Sequence, residues 1–95
     1  MNPYEAMIII KPDLADEVRV ALVEKFSNLI TGVGGVIEKL DEWGKRRLEY
    51  PIEFLTAGYY VLINFSAPGD FIHEFERNLR INENIMRFMV IRTDE

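Results

Sequence analysis

The spacing of apolar residues divides the first third of the chain into a strand and a helix. Residues 4–10, YEAMIII, are rich in isoleucine and apolar on both faces, which is typical of a central strand. From residue 16 to residue 31, apolar side chains recur every three or four positions, and this period predicts an amphipathic helix. We expect Gly32 to end the helix in the left-handed conformation, which glycine adopts at little cost.

The rest of the chain predicts three further strands and a second helix. Residues 36–43 form the second strand, and Gly44 predicts a bulge or bend before the segment KRRLEYPI. Residues 58–67 have the strongest β composition in the chain, and the segment EFLTAG is expected to connect them to the second strand. Phe71, Phe75 and Leu79 fall on one face of a second helix, and residues 84–92 form a fourth strand.

The element order β-α-β-β-α-β indicates the α+β class and, within it, the ferredoxin-like split βαββαβ arrangement. Right-handed crossovers would place both helices on one face of a four-stranded antiparallel sheet, leaving the other face without a helix. The second and fourth strands would then form the two edges. With 95 residues the chain is long enough for one modest core, so we expect residues 1–95 to form a single domain.

Composition and charge narrow the classes of protein. Hydrophobic residues at 48% and charged residues at 28% are ordinary for a globular chain, while 16 acidic and 11 basic residues give a net charge of -5. This balance disfavours a surface coated in nucleic acid, although it permits a local basic patch. The absence of cysteine excludes disulfides and thiolate nucleophiles. Apolar runs near the start are shorter than a signal-peptide core or a membrane span, so we expect a cytoplasmic protein without a membrane partner.

Residue types that support catalysis or metal binding are few. The one histidine, His73, falls beside the apolar stripe of the second helix and is expected at the surface. Glu38 and Glu42 share one face of the second strand while Asp41 lies on the other, a pattern typical of solvated carboxylates. The segment GVGG at residues 32–35 lacks the lysine of a phosphate-binding loop. We therefore expect no catalytic residue, no metal, no cofactor and no small-molecule substrate.

Basic residues concentrate in two segments that lie far apart in the chain. They are Lys45, Arg46 and Arg47 in the first and Arg77, Arg80, Arg87 and Arg92 in the second. Strand alternation sends Lys45 and Arg47 to one face and Arg46 to the other, unless a bulge resets it. Arginine prevails, and its planar guanidinium matches phosphate better than the point charge of lysine does. This segregation predicts a local polyanion site, the alternative being that the arginines pair with nearby carboxylates.

Aromatic residues accompany the first basic segment. Trp43 and Tyr50 flank it in the sequence. Tyr59 and Tyr60 point to opposite faces of the third strand, so one of them lies on the face without helices. Aromatic rings in these places predict either stacking against bases or contact with a partner protein.

Four motifs along this frame resemble those of a known family. They are YE at residues 4–5, WGKRRLEYPI at 43–52, GYY at 58–60 and LRINENIMRFMV at 79–90. Over its whole length the chain resembles the bacterial small-subunit (30S) ribosomal protein S6 family. The resemblance implies a non-catalytic, rRNA-binding ribosomal protein, part of the ribonucleoprotein that carries out translation in the cytoplasm. It further implies binding to the central domain of the small-subunit ribosomal RNA together with ribosomal protein S18, and a monomer when free.

The predicted RNA- or partner-binding residues share a positive charge and a place in one of the two basic segments. They are Lys45, Arg46, Arg47, Arg80, Arg87 and Arg92. Two arginines of each segment match the family motifs GxRRLxYPI and LRIxxxVxRxxV, so the resemblance implies their contact with RNA or a partner. Trp43, Tyr50 and Tyr60 are predicted as a possible partner interface.

Two other functions remain open from the residues themselves. The same fold hosts ferredoxin-like small-molecule-binding or regulatory modules, which act as homodimers with the ligand at the subunit interface. A small enzyme on a related fold is the third class, and His73 is the only histidine it would have. The solution mass separates the first alternative from the ribosomal interpretation, which expects a monomer in the absence of a partner.

Overall fold

The strands and helices follow one another in the predicted order. The computed structural model describes residues 1–52 and 54–94, and its elements are β1 Asn2–Ile10, α1 Asp16–Gly32, β2 Val36–Ile52, β3 Leu55–Ala67, α2 Ile72–Ile81 and β4 Ile85–Arg92, with a 3-10 turn at Gly69–Phe71. The strands form an antiparallel sheet in the order β2-β3-β1-β4. The α+β class, the split βαββαβ arrangement and the edge positions of β2 and β4 are thus confirmed.

One face of the sheet carries both helices and the hydrophobic core. Alternate side chains of β1 and β3 point to this face and meet the apolar stripes of the helices. The largest contributors are Ile8, Ile10, Ile63, Phe65, Leu22, Phe26, Ile30, Phe75 and Leu79. The ring of Phe75 lies 5.4 Å from that of Phe65 and 6.1 Å from that of Phe26. Because burial of each large apolar side chain contributes about 1.5–3 kcal/mol, this layer fixes the helices on the sheet.

The end of α1 differs from the prediction. Gly32 is the last helical residue, and the left-handed conformation falls at Gly34, with a φ of 80°. The amide of Val33 donates to the carbonyl oxygen of Ile30 at 3.4 Å, and that of Gly34 donates to Thr31 at 3.0 Å. These bonds extend the last turn, so the left-handed residue lies two positions after the predicted one.

The β2–β3 hairpin is longer than predicted. β3 begins at Leu55 instead of Gly58, and Ile52 pairs with Leu55, so a two-residue turn replaces the longer connection. The segment LTAG has a weak β composition, but pairing with β2 satisfies its backbone groups whatever its side chains are. The predicted bulge at Gly44 is confirmed by a shift in the β2–β3 register and by a φ of 84°.

Neither described helix covers the other face of the sheet, and the end of β2 folds across part of it. We call this side the open face; its residues include Met7, Ile9, Tyr60, Leu62, Arg87 and Met89. Ile9 is nonetheless only 8% exposed, and Leu48 is only 7% exposed. Gly58 permits this packing, because a Cβ atom there would lie 2.4 Å from Cγ2 of Ile9 and 3.4 Å from Cδ2 of Leu48.

Polar contacts also hold α1 against the sheet. The guanidinium of Arg19 lies 4.7 Å from the ring centre of Tyr59, and its Nη1 is 2.6 Å from Oδ1 of Asp16. The hydroxyl of Tyr59 donates a hydrogen bond of 2.9 Å to Oε1 of Glu42. Burial, and then the hydrogen bond to Glu42, raise the pKa of Tyr59. Tyr59 therefore couples α1, β2 and β3.

Candidate nucleic-acid and partner interface

Strand register brings the first basic segment and Arg87 of the second to the same end of the sheet. Gly44, Tyr60, Ile9 and Arg87 form one row across β2, β3, β1 and β4. The first basic segment follows Gly44 directly, so it lies near the level of Arg87 on the opposite edge strand. Since neighbouring strands are about 4.8 Å apart, roughly 14 Å separate β2 from β4 in this row. The first basic segment and Arg87, which are distant in the chain, thus lie at the same end of the sheet.

On the open face, an arginine and two aromatic rings form a stack. The rings of Trp43 and Tyr60 are nearly parallel, at 9°, with their centroids 6.3 Å apart. The guanidinium carbon of Arg46 lies 5.4 Å from the ring centre of Trp43, within the range of a cation–π interaction. Because Trp43 is 40% exposed, the stack presents a flat apolar surface beside a positive charge. Such a surface suits an apolar side chain of a partner or a nucleobase.

The far end of β2 reaches across the open face to β4. Nη1 of Arg87 donates a hydrogen bond of 2.9 Å to the hydroxyl oxygen of Tyr50, and the guanidinium lies 5.8 Å from the ring centre of Tyr50. This hydrogen bond raises the pKa of Arg87 further, so the side chain stays charged. A groove of about 350 Å³ adjoins the contact, and its apolar lining includes Met7, Ile9, Leu48, Ile52, Tyr60 and Met89.

The cations of the chain divide into those paired with carboxylates and those that are not. Arg77 donates two hydrogen bonds to Glu74, which lower the pKa of that carboxyl, and Arg92 donates to Asp94. Arg19 and Lys39 also form salt bridges. In contrast, five of the predicted cations form no salt bridge within residues 1–52 and 54–94, namely Lys45, Arg46, Arg47, Arg80 and Arg87. Pairing with carboxylates therefore accounts for only part of the basic residues.

Five of the nine predicted residues share the open face. They are Trp43, Arg46, Tyr50, Tyr60 and Arg87. Lys45 and Arg47 point to the opposite side, since they pair with Tyr59 and Ala57 on β3. The predicted alternation within the first basic segment is thus confirmed, and the three cations do not form one cluster. They instead place positive charge on both sides of the edge strand.

Arg80 and Arg92 occupy different places from one another. Arg80 lies in the last turn of α2 and lines, together with Arg87, a second depression of about 310 Å³ at the start of β4. Arg92 lies opposite Tyr4 at the other end of the sheet. Its Nε is 2.6 Å from Oδ1 of Asp94, and this hydrogen bond lowers the pKa of Asp94. The register therefore separates Arg92 from the other predicted cations.

Sequence reasoning missed the residues that shape the groove. Ile9, Leu48 and Gly58 pack together on the open face, yet none of them carries a charged or catalytic group. The sequence does contain one indication of this groove. Ile9 occupies an open-face position in an alternating strand, and a large apolar residue there indicates that something covers it.

Comparison with known proteins identifies the family to which the chain belongs. The family model for ribosomal protein S6 matches residues 3–92. Small ribosomal subunit protein bS6 of Caldanaerobacter subterraneus subsp. tengcongensis is 48% identical over 95 residues, and that of Thermoanaerobacter pseudethanolicus is 47% identical, each match covering the whole of both chains. The chain belongs to the ribosomal protein S6 family. The crystal structure of 30S ribosomal protein S6 from Thermotoga maritima has the same fold, with a TM-score of 0.91 and 32% identity over 97% of this chain and 87% of that one.

Membership of the S6 family defines the broad role of the chain. It is a small-subunit ribosomal protein of the cytoplasmic ribosome and not an enzyme. In the described part of this S6 family protein, none of the helices has the length and hydrophobicity needed to span a membrane. The same part contains no group of three His, Asp or Glu side chains placed to hold a metal ion.

Proposed function

We propose that this S6 family protein binds the central domain of the small-subunit ribosomal RNA together with ribosomal protein S18. One observation carries the proposal: five cations near one end of an acidic protein have no salt-bridge partner among the described residues. Phosphates of RNA supply the missing anions. Four of the five cations are arginines, whose forked guanidinium binds phosphate through paired hydrogen bonds.

The two sides of β2 suit different partners. We assign Lys45 and Arg47 to phosphate, because they lie on an edge strand and on the side away from the aromatic stack. We assign Trp43, Tyr60 and the groove beside Tyr50 to S18, because a largely apolar surface with aromatic residues suits the centre of a protein interface. The net charge of -5 favours association with a cationic protein, so the free protein is expected to bind RNA weakly.

A gel-shift titration tests the proposal. A central-domain fragment of the ribosomal RNA is titrated with this protein, with and without S18, at two salt concentrations. We expect a shift that requires both proteins and weakens as salt is raised, because phosphate contacts release counterions. Tight binding of this protein alone would contradict the assignment of the open face to S18. If the protein causes no shift with or without S18, the proposal as a whole is contradicted.

A pair of arginine variants tests the assignment of the edge strand. Arg47→Ala should weaken the complex with RNA, lower the slope of log K against log salt by about 0.7–0.9, and leave Tm nearly unchanged. Arg77→Ala is the matched control, because it removes the same charge from a residue already paired with Glu74. Equal losses of affinity in the two variants would show an effect of net charge only. A large fall in Tm with normal assembly would contradict the RNA contact of Arg47.

The oligomeric state separates this function from the homodimeric ligand-binding module. We expect sedimentation equilibrium to give the mass of one chain when no partner is present. A stable dimer would favour the alternative, in which the groove of the open face would hold a small molecule near the subunit interface.

A further inference from the structure

Phe54, at the tip of the β2–β3 hairpin, combines two unfavourable features. The turn between Ile52 and Leu55 is two residues long, and Phe54 is its second residue. Its φ is 68°, the only left-handed value among the described residues other than glycine. Its side chain is 100% exposed. A large aromatic residue therefore has a strained backbone conformation and an exposed side chain at the same position.

Neither the positive φ of Phe54 nor its exposed ring stabilises the free chain. Short hairpin turns favour glycine, asparagine or aspartate where φ is positive, because larger side chains are strained there. An aromatic ring stabilises a protein when it is buried, and this ring is not buried within its own chain. Strain and exposure at one residue indicate a site where contact is made outside the chain.

Contacts with the sheet anchor the base of the hairpin that carries Phe54. Leu48 is buried against the sheet, and Tyr50 accepts a hydrogen bond from Arg87 on β4. Gly58 lets the returning strand lie close to Ile9. Because the base of the hairpin is anchored, binding through Phe54 requires no ordering of that base.

Local charge favours a protein over RNA as this partner. Between Arg47 and Arg77 the chain contains no lysine or arginine, and the charged residues nearest Phe54 in the sequence are Glu49 and Glu53. An acidic segment repels a phosphate backbone and attracts a basic protein. We propose that Phe54 is a hydrophobic anchor that inserts into an apolar pocket with a cationic rim on a basic protein of the assembled small subunit. This inference rests on the proposed function, since it requires the chain to enter that particle.

Two variants test the anchor through stability and assembly together. Phe54→Asn should raise the Tm of the free protein by about 4 °C, because asparagine tolerates a positive φ. In competition with the wild type for incorporation into reconstituted small subunits, it should be disfavoured by about tenfold or more. Thr56→Asn, an exposed change on the same hairpin, is the control and should alter neither quantity. Normal incorporation of Phe54→Asn would overturn the inference.

A photo-crosslink at position 54 identifies the class of partner. The chain carrying p-benzoylphenylalanine in place of Phe54 is assembled into small subunits and irradiated. We expect a crosslinked product that protease removes and ribonuclease leaves intact. A crosslink to RNA, or none, would overturn the inference while leaving the proposed function in place. If the wild-type chain itself does not enter the subunits, the proposed function fails first, and the anchor with it.

Discussion

Arg87 on β4 donates a hydrogen bond of 2.9 Å to the hydroxyl oxygen of Tyr50 on β2, although two strands lie between β2 and β4 in the sheet. The bond joins Arg87 of the second basic segment to the strand that carries the first basic segment. It also holds the end of β2 over the open face, where Leu48 and Ile9 are buried together. The geometry of the groove therefore depends on a contact between the two edge strands.

Tyr50→Phe should loosen this end of β2 without unfolding the protein. The change removes the acceptor for Arg87 and keeps the aromatic ring beside the guanidinium. Because the lost bond is exposed, we expect Tm to fall by no more than about 4 °C. Amide hydrogen exchange at residues 48–52, followed by NMR, should become faster. Tyr50→Ala, which also removes the ring, should increase that exchange further, and unchanged exchange in both variants would contradict the role of the contact.

Two glycines should respond in opposite ways to the same substitution. Gly58→Ala places a Cβ atom 2.4 Å from Cγ2 of Ile9, so we expect a loss of about 1–3 kcal/mol in the free energy of unfolding. Gly32→Ala meets nothing within 4 Å in the last turn of α1 and should stabilise the protein by about 0.5–1 kcal/mol. Urea denaturation measures both. Equal midpoints for the two variants would mean that the close approach at Gly58 is relieved by movement of Ile9.

Much of the fold could be predicted because local pattern and tertiary structure agree. The isoleucine run of β1, the apolar stripe of α2 and the bulge at Gly44 each have a cause within a few residues of sequence. The length of the hairpin could not be predicted in this way. The segment LTAG is a weak strand former, and its pairing with β2 depends on backbone hydrogen bonds that composition does not encode.

The candidate site was predictable in its residue types but not in its geometry. Charge and motif identified the arginines, and alternation separated Arg46 from Lys45 and Arg47. Arg77 and Arg92 pair with carboxylates that lie only three and two residues away in the sequence. The contact between Tyr50 and Arg87 spans 37 positions and has no local signature. Phe54 was missed because turn rules do not expect phenylalanine at a positive φ.

The core should be sensitive to the loss of a single ring. Phe75 is 0% exposed, and its ring lies within 5.5 Å of the ring centres of Phe65 and Phe71. Phe75→Ala should therefore reduce the free energy of unfolding by about 3–5 kcal/mol, through lost burial and the cavity left behind. Phe54→Ala removes the same atoms from a fully exposed residue and is the matched control, with no expected loss. Similar urea midpoints for the two variants would contradict the packing of Phe75.

Stability should fall at alkaline pH through Tyr59. Burial, and then its hydrogen bond to Glu42, raise the pKa of Tyr59 above its usual value of 10.0, while the guanidinium of Arg19 acts in the opposite direction. Lys45 lies opposite Tyr59 on β2. The unfolded chain loses the phenol proton first, so the folded state holds more protons than the unfolded state above pH 10.0. The contribution of Tyr59 is therefore complete below pH 10.0 and is lost as pH rises through the folded pKa.

The difference in Tm between the wild type and Tyr59→Phe isolates this contribution. Phenylalanine has no proton to lose, so the wild type should be the more stable near neutrality and its advantage should shrink above about pH 10. Glu42→Gln removes the carboxylate that opposes ionisation, so its alkaline loss should be complete at a lower pH and be smaller in extent. A constant difference in Tm from about pH 8 to about pH 11 would contradict the raised pKa of Tyr59, because an unshifted group contributes no pH dependence to folding.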